Sequence, residues 1–342
     1  MVFVIFPIFD KMSFFFGKKL WNIVYNHNLS QKVPKIFQRL EGKKMCGISG
    51  VIFKNPNHKR KTGEVILAML DSLFRRGPDS TGVAILHPKE ENVLYVDVNY
   101  ETRGNGEKII SFLKDKADVL YSSDHGNYVR TKIFHSGDIQ HIVQGISQLD
   151  EDISVANIGE SIEVLKSLGG AHLLDAQFKL SVYDGQVAVG HTRMATESKV
   201  DISHSQPLCC HSYKDLTIIH NGHVTNYIKL RAYYEKKGYQ FITGNDSEVI
   251  AVYLVDEMKK GASLKEAMTS SVHDLDGSFS YIAVTPTAVG LAKEPFSMKP
   301  IVLAETDDFI AFASESLAIT NGFGKNLPVR EPGAEEVLVW NL

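Results

Sequence analysis

The chain has 342 residues, 44% of them apolar, 23% charged and 10% aromatic, and its 37 basic and 40 acidic residues leave a formal charge of −3. That composition excludes a disordered, collagen-like or coiled-coil chain, and the near balance of charge gives no bulk electrostatic case for nucleic acid. Three cysteines, Cys46, Cys209 and Cys210, exclude a disulfide framework and a Cys-x-x-Cys metal pattern, and suggest a reducing compartment, the cytoplasm.

Residues 1–44 differ from the rest. The apolar run Met1–Phe9 is stopped by Asp10 and Lys11, well short of the roughly twenty residues that span a bilayer. A secretory signal would need a basic start, an unbroken apolar stretch and a small-residue cleavage site, which this segment lacks. Residues 1–45 read as an extension: a start-site artefact, a propeptide or, at the sharpest, a membrane-surface anchor. Lys44-Met45-Cys46 favours translation from Met45 followed by methionine removal, which leaves 46–342 as the working domain.

From Cys46 the pattern becomes regular. Gly47–Phe53 predicts a buried strand, and Glu64–Phe74 carries apolar residues at helical spacing that Arg75-Arg76-Gly77-Pro78 brings to a stop. Thr81–Leu86 predicts a strand. Lys108–Lys116, Ile139–Gln148 and Ser161–Leu168 look helical, Val187–Arg193 and Leu216–Asn221 β-rich, and Tyr227–Lys237 and Ser247–Lys260 helical. Ser278–Thr285, Ala288–Ala292, Ile301–Ala304 and Phe309–Ala313 alternate with turns. Strands and helices cluster instead of alternating, which favours stacked α and β layers over a doubly wound parallel sheet. The chain has no phosphate loop, dinucleotide fingerprint, Gly-x-Ser-x-Gly elbow or His-Glu-x-x-His motif. His220 and His223, three apart and without further ligands, make a poor metal site, so no metal is expected.

Five polar signatures remain: Met45-Cys46-Gly47-Ile48, Arg75-Arg76-Gly77-Pro78-Asp79-Ser80-Thr81-Gly82, Gly190-His191-Thr192-Arg193-Met194-Ala195-Thr196, His220-Asn221-Gly222-His223-Val224-Thr225-Asn226, and Gly244-Asn245-Asp246-Ser247-Glu248. In this order they resemble the class II glutamine amidotransferases, N-terminal-nucleophile hydrolases whose cysteine takes the amide nitrogen of glutamine. The match runs from Cys46 to about Glu315, where Ala313-Ser314-Glu315 is similar to a late motif of the family. The resemblance implies an α+β fold, the four-layer αββα sandwich.

It also implies roles. A thiol attacks an amide only as thiolate, and an α-amino group, with a pKa near 8, lets an N-terminal cysteine carry its own base. Cys46 can act so only if nothing precedes it; read alone, it would be a small buried residue at a strand start. The Asn221 side chain and the Gly222 N–H would hold the oxyanion, although Asn-Gly by itself reads as a hairpin turn. Arg193 would clamp the glutamine carboxylate and Asp246 bind its α-amino group; on its own, Asp246 reads equally as the N-cap of a helix from Ser247. Arg76 and Gly77 would form a loop over the nucleophile while also ending a helix. Thr196 and His204 would line the pocket.

Met194 stands where the family usually has an aromatic residue. Chains resembling the stand-alone amidotransferase subunit of archaeal-type glutamate synthase, and the related N-methylglutamate synthase subunit, tolerate Met there. They share Arg-Gly-Pro-Asp-Ser-Thr-Gly, His-Asn-Gly-His-x-Thr-Asn and Asn-Asp-Ser-Glu, and a long stretch between Gly82 and Gly190, here an insertion at about 90–185. The expectation is a glutaminase subunit that cleaves glutamine through a Cys46 thioester and passes ammonia to a separate synthase subunit. Little chain follows Glu315, so no acceptor domain is expected here. No cofactor is expected in this chain; flavin and iron–sulfur centres would sit on the partner. Neither nucleic acid nor membrane is expected as a partner, and an oligomer is left open. Two alternatives stand: a non-catalytic glutamine-sensing module in which Cys46 is never freed, and a hydrolase of another small amide.

Overall fold

β1 (Gly47–Phe53) buries both of its faces, as its nearly continuous apolar run requires. It leads into α1 (Thr62–Leu73) and β2 (Ser80–Leu86). A separate run follows: β3 (Val93–Asn99), α2 (Asn105–Lys116), β4 (Asp118–Asp124), β5 (Tyr128–Phe134), α3 (Ile139–Ser147) and β6 (Ser154–Gly159). Then come β7 (Ile162–Leu168), α4 (Ala171–Phe178), β8 (Val187–Arg193), β9 (Leu208–Cys209), β10 (Thr217–Val224), α5 (Tyr227–Lys236), α6 (Asp246–Lys259) and α7 (Leu264–Asp274). β11 (Gly277–Thr285), β12 (Ala288–Lys293), β13 (Val302–Glu305), β14 (Phe309–Ala313), α8 (Ser316–Phe323) and β15 (Val337–Asn341) complete the order. The computed structural model describes residues 45–195, 200–210 and 213–342. The expected extension up to residue 44, and Thr196, lie outside the described residues.

Two sheets carry the body, in the orders β13-β14-β1-β8-β2-β7 and β15-β12-β11-β10-β9. Every pairing in them is antiparallel. They face each other through Ile48, Ile52, Val187 and Val189 of the first and Ile219, Ile282, Val289 and Leu291 of the second. The opposite face of the first sheet packs Val51, Val83 and Leu165 on α1, α4 and α8. The opposite face of the second packs Ile218, Phe279 and Tyr281 on α5, α6 and α7. The layers therefore read α, β, β, α, the sandwich expected. α6 is buried from Ser247 to Asp256 without a polar stripe, because it lies between the sheet and its neighbouring helices. Among the described residues no helix is long and apolar enough to cross a membrane.

The segment expected to be helical at Ser161–Leu168 is instead strand β7, paired with β2 from Ser80↔Leu168 to Leu86↔Ile162. Ile162 and Val164 face the inter-sheet core and Leu165 the helical layer. In a short run buried on both sides, apolar positions three apart occur in either conformation, so spacing cannot separate them. β3–β6 form a third sheet, ordered β4-β5-β3-β6, over a core of its own with α2 and α3. Arg130 on β5 joins it to the body by a two-pronged ion pair with the fully buried Glu163 of β7, one prong being Nη2 to Oε2 at 3.0 Å. Tyr128 donates to the Val164 carbonyl at the same joint.

Candidate active site

Cys46 sits just before β1, the strand flanked by β14 and β8. The far end of the chain holds it there. Ile48 N–H donates to Ser314 Oγ at 3.0 Å, and Ser314 N–H to the Ile48 carbonyl at 2.9 Å. Arg76 Nε donates to the Cys46 carbonyl at 3.1 Å, while its Nη1 pairs with Glu315 at 2.9 Å. Arg76 thus grips the backbone of Cys46. α1 ends at Leu73, so Arg76 lies in the turn beyond the helix rather than in its last turn. A Cβ at Gly77 would stand 2.4 Å from the Thr192 carbonyl, so only glycine lets this turn lie against β8.

The Cys46 thiol donates to the Met194 carbonyl at 3.8 Å. Burial pushes its pKa above the ordinary thiol value and Asp246 adds to the shift, whereas Arg193 and Arg76 oppose it. The thiol is therefore protonated at neutral pH, and nucleophilic attack requires a base. Met45 precedes it in this chain, so its nitrogen is a peptide nitrogen.

Arg193 closes β8 and is 3% exposed, with Cys46, Asp79 and Asp201 in its electrostatic surroundings. Asp79 pins the backbone around it: Asp79 N–H donates to the Arg193 carbonyl at 3.0 Å, and Asp79 Oδ2 accepts from Ala195 N–H at 2.8 Å.

Asn221 and Gly222 lie within β10, opposite Ser280 and Phe279, not in the hairpin turn that Asn-Gly suggested. Strand pairing on the β11 side overrides the local turn preference. Asn221 shares the inter-sheet face with Ile219, is 2% exposed, and its Nδ2 has no hydrogen-bond partner among the described residues. A buried donor without an acceptor is costly and uncommon, and suits a site that receives an oxygen from a ligand. Gly222 has φ +147°, and a Cβ there would lie 2.2 Å from the Ser278 carbonyl.

Asp246 opens α6, but the N-cap is Asn245, whose Oδ1 accepts from Ser247 N–H at 3.0 Å. The capping reading of Asp246 is thereby corrected, and its carboxylate is turned to β10. Asp246 Oδ2 accepts from Val224 N–H at 2.7 Å and lies 3.1 Å from His223 Nδ1. Cys46, Arg193 and Asp246 are thus electrostatic neighbours. His204 reaches them through neighbours, its carbonyl accepting from Asn245 Nδ2 at 3.4 Å and its partner Asp201 lying in the electrostatic surroundings of Arg193. Its Nδ1 is held by Asp201 at 2.7 Å, and it lines a groove of about 700 Å³ with Asn99, Tyr100, Asp152 and Ile242. Neither Cys46, Arg193, Asn221 nor Asp246 lines that groove.

His220 is buried against α6 while the His223 side chain is 57% exposed, so the two do not converge. Among the described residues no group of three or more His, Cys, Asp or Glu is placed to hold a metal. Sequence reasoning missed Asp79, Ser314 and Glu315 as residues that hold the site. All three stand inside the recognised signatures, but their role lies in long-range contacts that spacing does not reveal.

A family model described as a glutamine amidotransferase domain matches residues 191–321. A Methanothermobacter thermautotrophicus protein, provisionally named glutamine amidotransferase, is 34% identical over 288 residues, which cover 80% of this chain and 93% of that one. The glutamine amidotransferase-like protein GlxB of Rhizobium meliloti is 33% identical over 281 residues, 81% of this chain and 91% of its own. The solved structure of glutamine phosphoribosylpyrophosphate amidotransferase from B. subtilis, complexed with ADP and GMP, matches with a TM-score of 0.57 at 19% identity. That match covers 86% of this chain but 47% of that structure, and it is a likeness of fold.

Proposed function

Since this chain belongs to the class II glutamine amidotransferases, we propose that it is a catalytic subunit, which hydrolyses glutamine through a thioester on Cys46 and passes the ammonia to a separate synthase subunit. The observation that carries the reading is the buried Asn221 amide, unpartnered among the described residues, beside Gly222, whose φ of +147° suits only glycine, on a strand whose Val224 N–H is held by Asp246, an electrostatic neighbour of the half-buried Cys46 thiol and of Arg193.

The free α-amino group of Cys46 takes the thiol proton, and the sulfur attacks the amide carbon of glutamine. The Asn221 Nδ2–H and the Gly222 N–H receive the developing oxyanion, at roughly 3–4 kcal/mol per donor. The carbon–nitrogen bond then breaks, and the proton held on the Cys46 amine goes to the departing nitrogen as ammonia. Water, deprotonated by the same amine, attacks the thioester carbon; the carbon–sulfur bond breaks, glutamate is released, and the amine returns the proton to the Cys46 sulfur. Arg193 binds the substrate carboxylate and Asp246 the substrate ammonium. Arg76, paired with Glu315, keeps the Cys46 backbone in place. Thr196 and His204 are assigned to the lining of the glutamine pocket, His204 beside Asp201 in the surroundings of Arg193.

The mechanism requires a chain that begins at Cys46, reached by translation from Met45 and methionine removal or by cleavage of a propeptide. The acceptor is assigned as a glutamate synthase-like subunit, on the strength of Met194 and the three signatures shared with that group. Any flavin or iron–sulfur centre belongs to that partner. The compartment is assigned as the cytoplasm because three cysteines, two of them adjacent, offer no disulfide framework. The peptide nitrogen at Met45-Cys46 favours one second reading, a glutamine-sensing module in which Cys46 is never freed.

Intact-mass measurement of the purified natural protein, with a glutaminase assay, separates the two. Catalysis predicts a chain starting at Cys46, and turnover that falls by about 10³-fold or more in Cys46→Ala. It also predicts that an electrophilic glutamine analogue labels Cys46 and leaves the buried Cys209 and Cys210 untouched. A stable chain with residues before Cys46 that binds glutamine without turnover would replace this reading with the sensing one.

A further inference from the structure

Directly before Asn221, His220 has three polar handles taken by three parts of the fold. Its N–H donates to Gln206 Oε1 at 2.5 Å. Its carbonyl accepts from His191 Nε2 at 3.2 Å. Its Nδ1 lies 2.7 Å from Ser247 Oγ. Gln206 closes the ring by donating Nε2–H to Ser247 Oγ at 3.1 Å, and Ser247 Oγ lies 3.4 Å from Asp246 Oδ1. His191, Gln206, His220 and Ser247 are all buried.

These contacts touch each element that carries a substrate-reading group. His191 stands two residues before Arg193 on β8. Ser247 follows Asp246 on α6. Among the described residues β9 pairs with β10 at Leu208 and Cys209, and the Gln206 side chain extends that edge to His220. Asn221 points into the inter-sheet core while His220 points back to α6, so the ring braces the strand from behind.

We propose that His191, Gln206, His220 and Ser247 form a buried positioning network that holds Arg193, Asn221 and Asp246 in one frame, coupling recognition of the glutamine carboxylate and ammonium to the alignment of the oxyanion donor. The inference rests on the roles given above to those three residues. None of the four touches substrate; each acts through a neighbour. The network stays uncharged, because burial pushes His191 down to about 3 and lowers His220 as well. A neutral imidazole keeps one proton for one bond, so the geometry does not change with pH in the working range. Small displacements of a positioned group cost up to about 10²-fold in rate, which is the scale on which such a brace acts.

The test compares the mature protein with Ser247→Ala, His220→Leu and His220→Asn, the last keeping an amide near the Nδ1 position. The substrates are glutamine and the analogue that lacks the α-ammonium group. Removing the ammonium lowers kcat/KM in the parent protein through Asp246. In Ser247→Ala that loss shrinks by about tenfold, because Asp246 is no longer aligned to use the group. His220→Leu lowers kcat by about tenfold or more on both substrates, and His220→Asn restores it to within about threefold. The same ammonium loss in Ser247→Ala and in the parent, or activity losses that only follow the unfolded fraction in a thermal melt, would overturn the network. Absence of turnover in the parent protein would defeat the catalytic reading instead. The ammonium comparison is then made on glutamine dissociation constants, and the same tenfold criterion decides.

Discussion

Gly222 is where one atom decides whether the strand can present its donors. A Cβ would sit 2.2 Å from the Ser278 carbonyl and would need a left-handed φ of +147°. Gly222→Ala is expected to part β10 from β11 beside Asn221 and to lower glutaminase kcat by about 10²-fold or more. A thermal melt accompanies the assay, and unchanged kcat in a folded variant would remove Gly222 from the oxyanion site. The residues proposed for direct chemistry could be picked from the sequence, because attack on an amide calls for a thiol, amide donors and an arginine, and these stand in recognisable order. Their supports could not. Asp246 and Asn245 are both good capping residues, and only the fold assigns the cap to Asn245 and turns Asp246 to Val224. The Asn-Gly pair likewise keeps its turn preference, which pairing with Ser280 and Phe279 overrides.

Among the elements, β5 and β7 make the joint between the third sheet and the body. The Arg130 fork meets Glu163, which also receives His87 at 2.9 Å and the Tyr183 hydroxyl at 3.2 Å. Removing the guanidinium leaves a buried carboxylate without its main counter-charge, a change that costs about 3–5 kcal/mol. Arg130→Ala is thus expected to lower the urea midpoint by an amount of that order and to let the third sheet unfold ahead of the body. A single unshifted transition would show that the joint carries little stability. β1, β8 and β14 were readable because their apolar runs are bounded by polar breaks. β7 was not, since Glu163 and Lys166 are buried polar residues within an apolar stretch and the partners of Glu163 lie on other elements.

Across the whole molecule, the buried histidines give stability a direction with pH. His191 falls from its ordinary 6.5 to about 3 in the folded chain, and His220 shifts the same way, both through burial. Below about pH 6.5 the unfolded chain takes up these protons and the folded chain does not. The His191 contribution is therefore complete above pH 6.5 and is lost as pH falls toward 3, by up to about 1.4 kcal/mol per pH unit, and that of His220 is lost in the same direction. Asp97 acts in the opposite sense, since burial raises its pKa and its contribution fades as pH rises. Urea unfolding of His191→Gln beside the parent, from pH 7 to pH 4.5, isolates the histidine, and the variant should have the shallower acid slope. Equal slopes would exclude His191 as a source. The two hydrogen bonds between Ile48 and Ser314 and the grip of Arg76 on Glu315 also set an order of events during synthesis. A ribosome delivers the nucleophile early and its brace some 266 residues later. A nascent chain therefore carries the Cys46 thiol without its seat until Ser314 and Glu315 have followed, and on the proposed mechanism glutamine is spared until then.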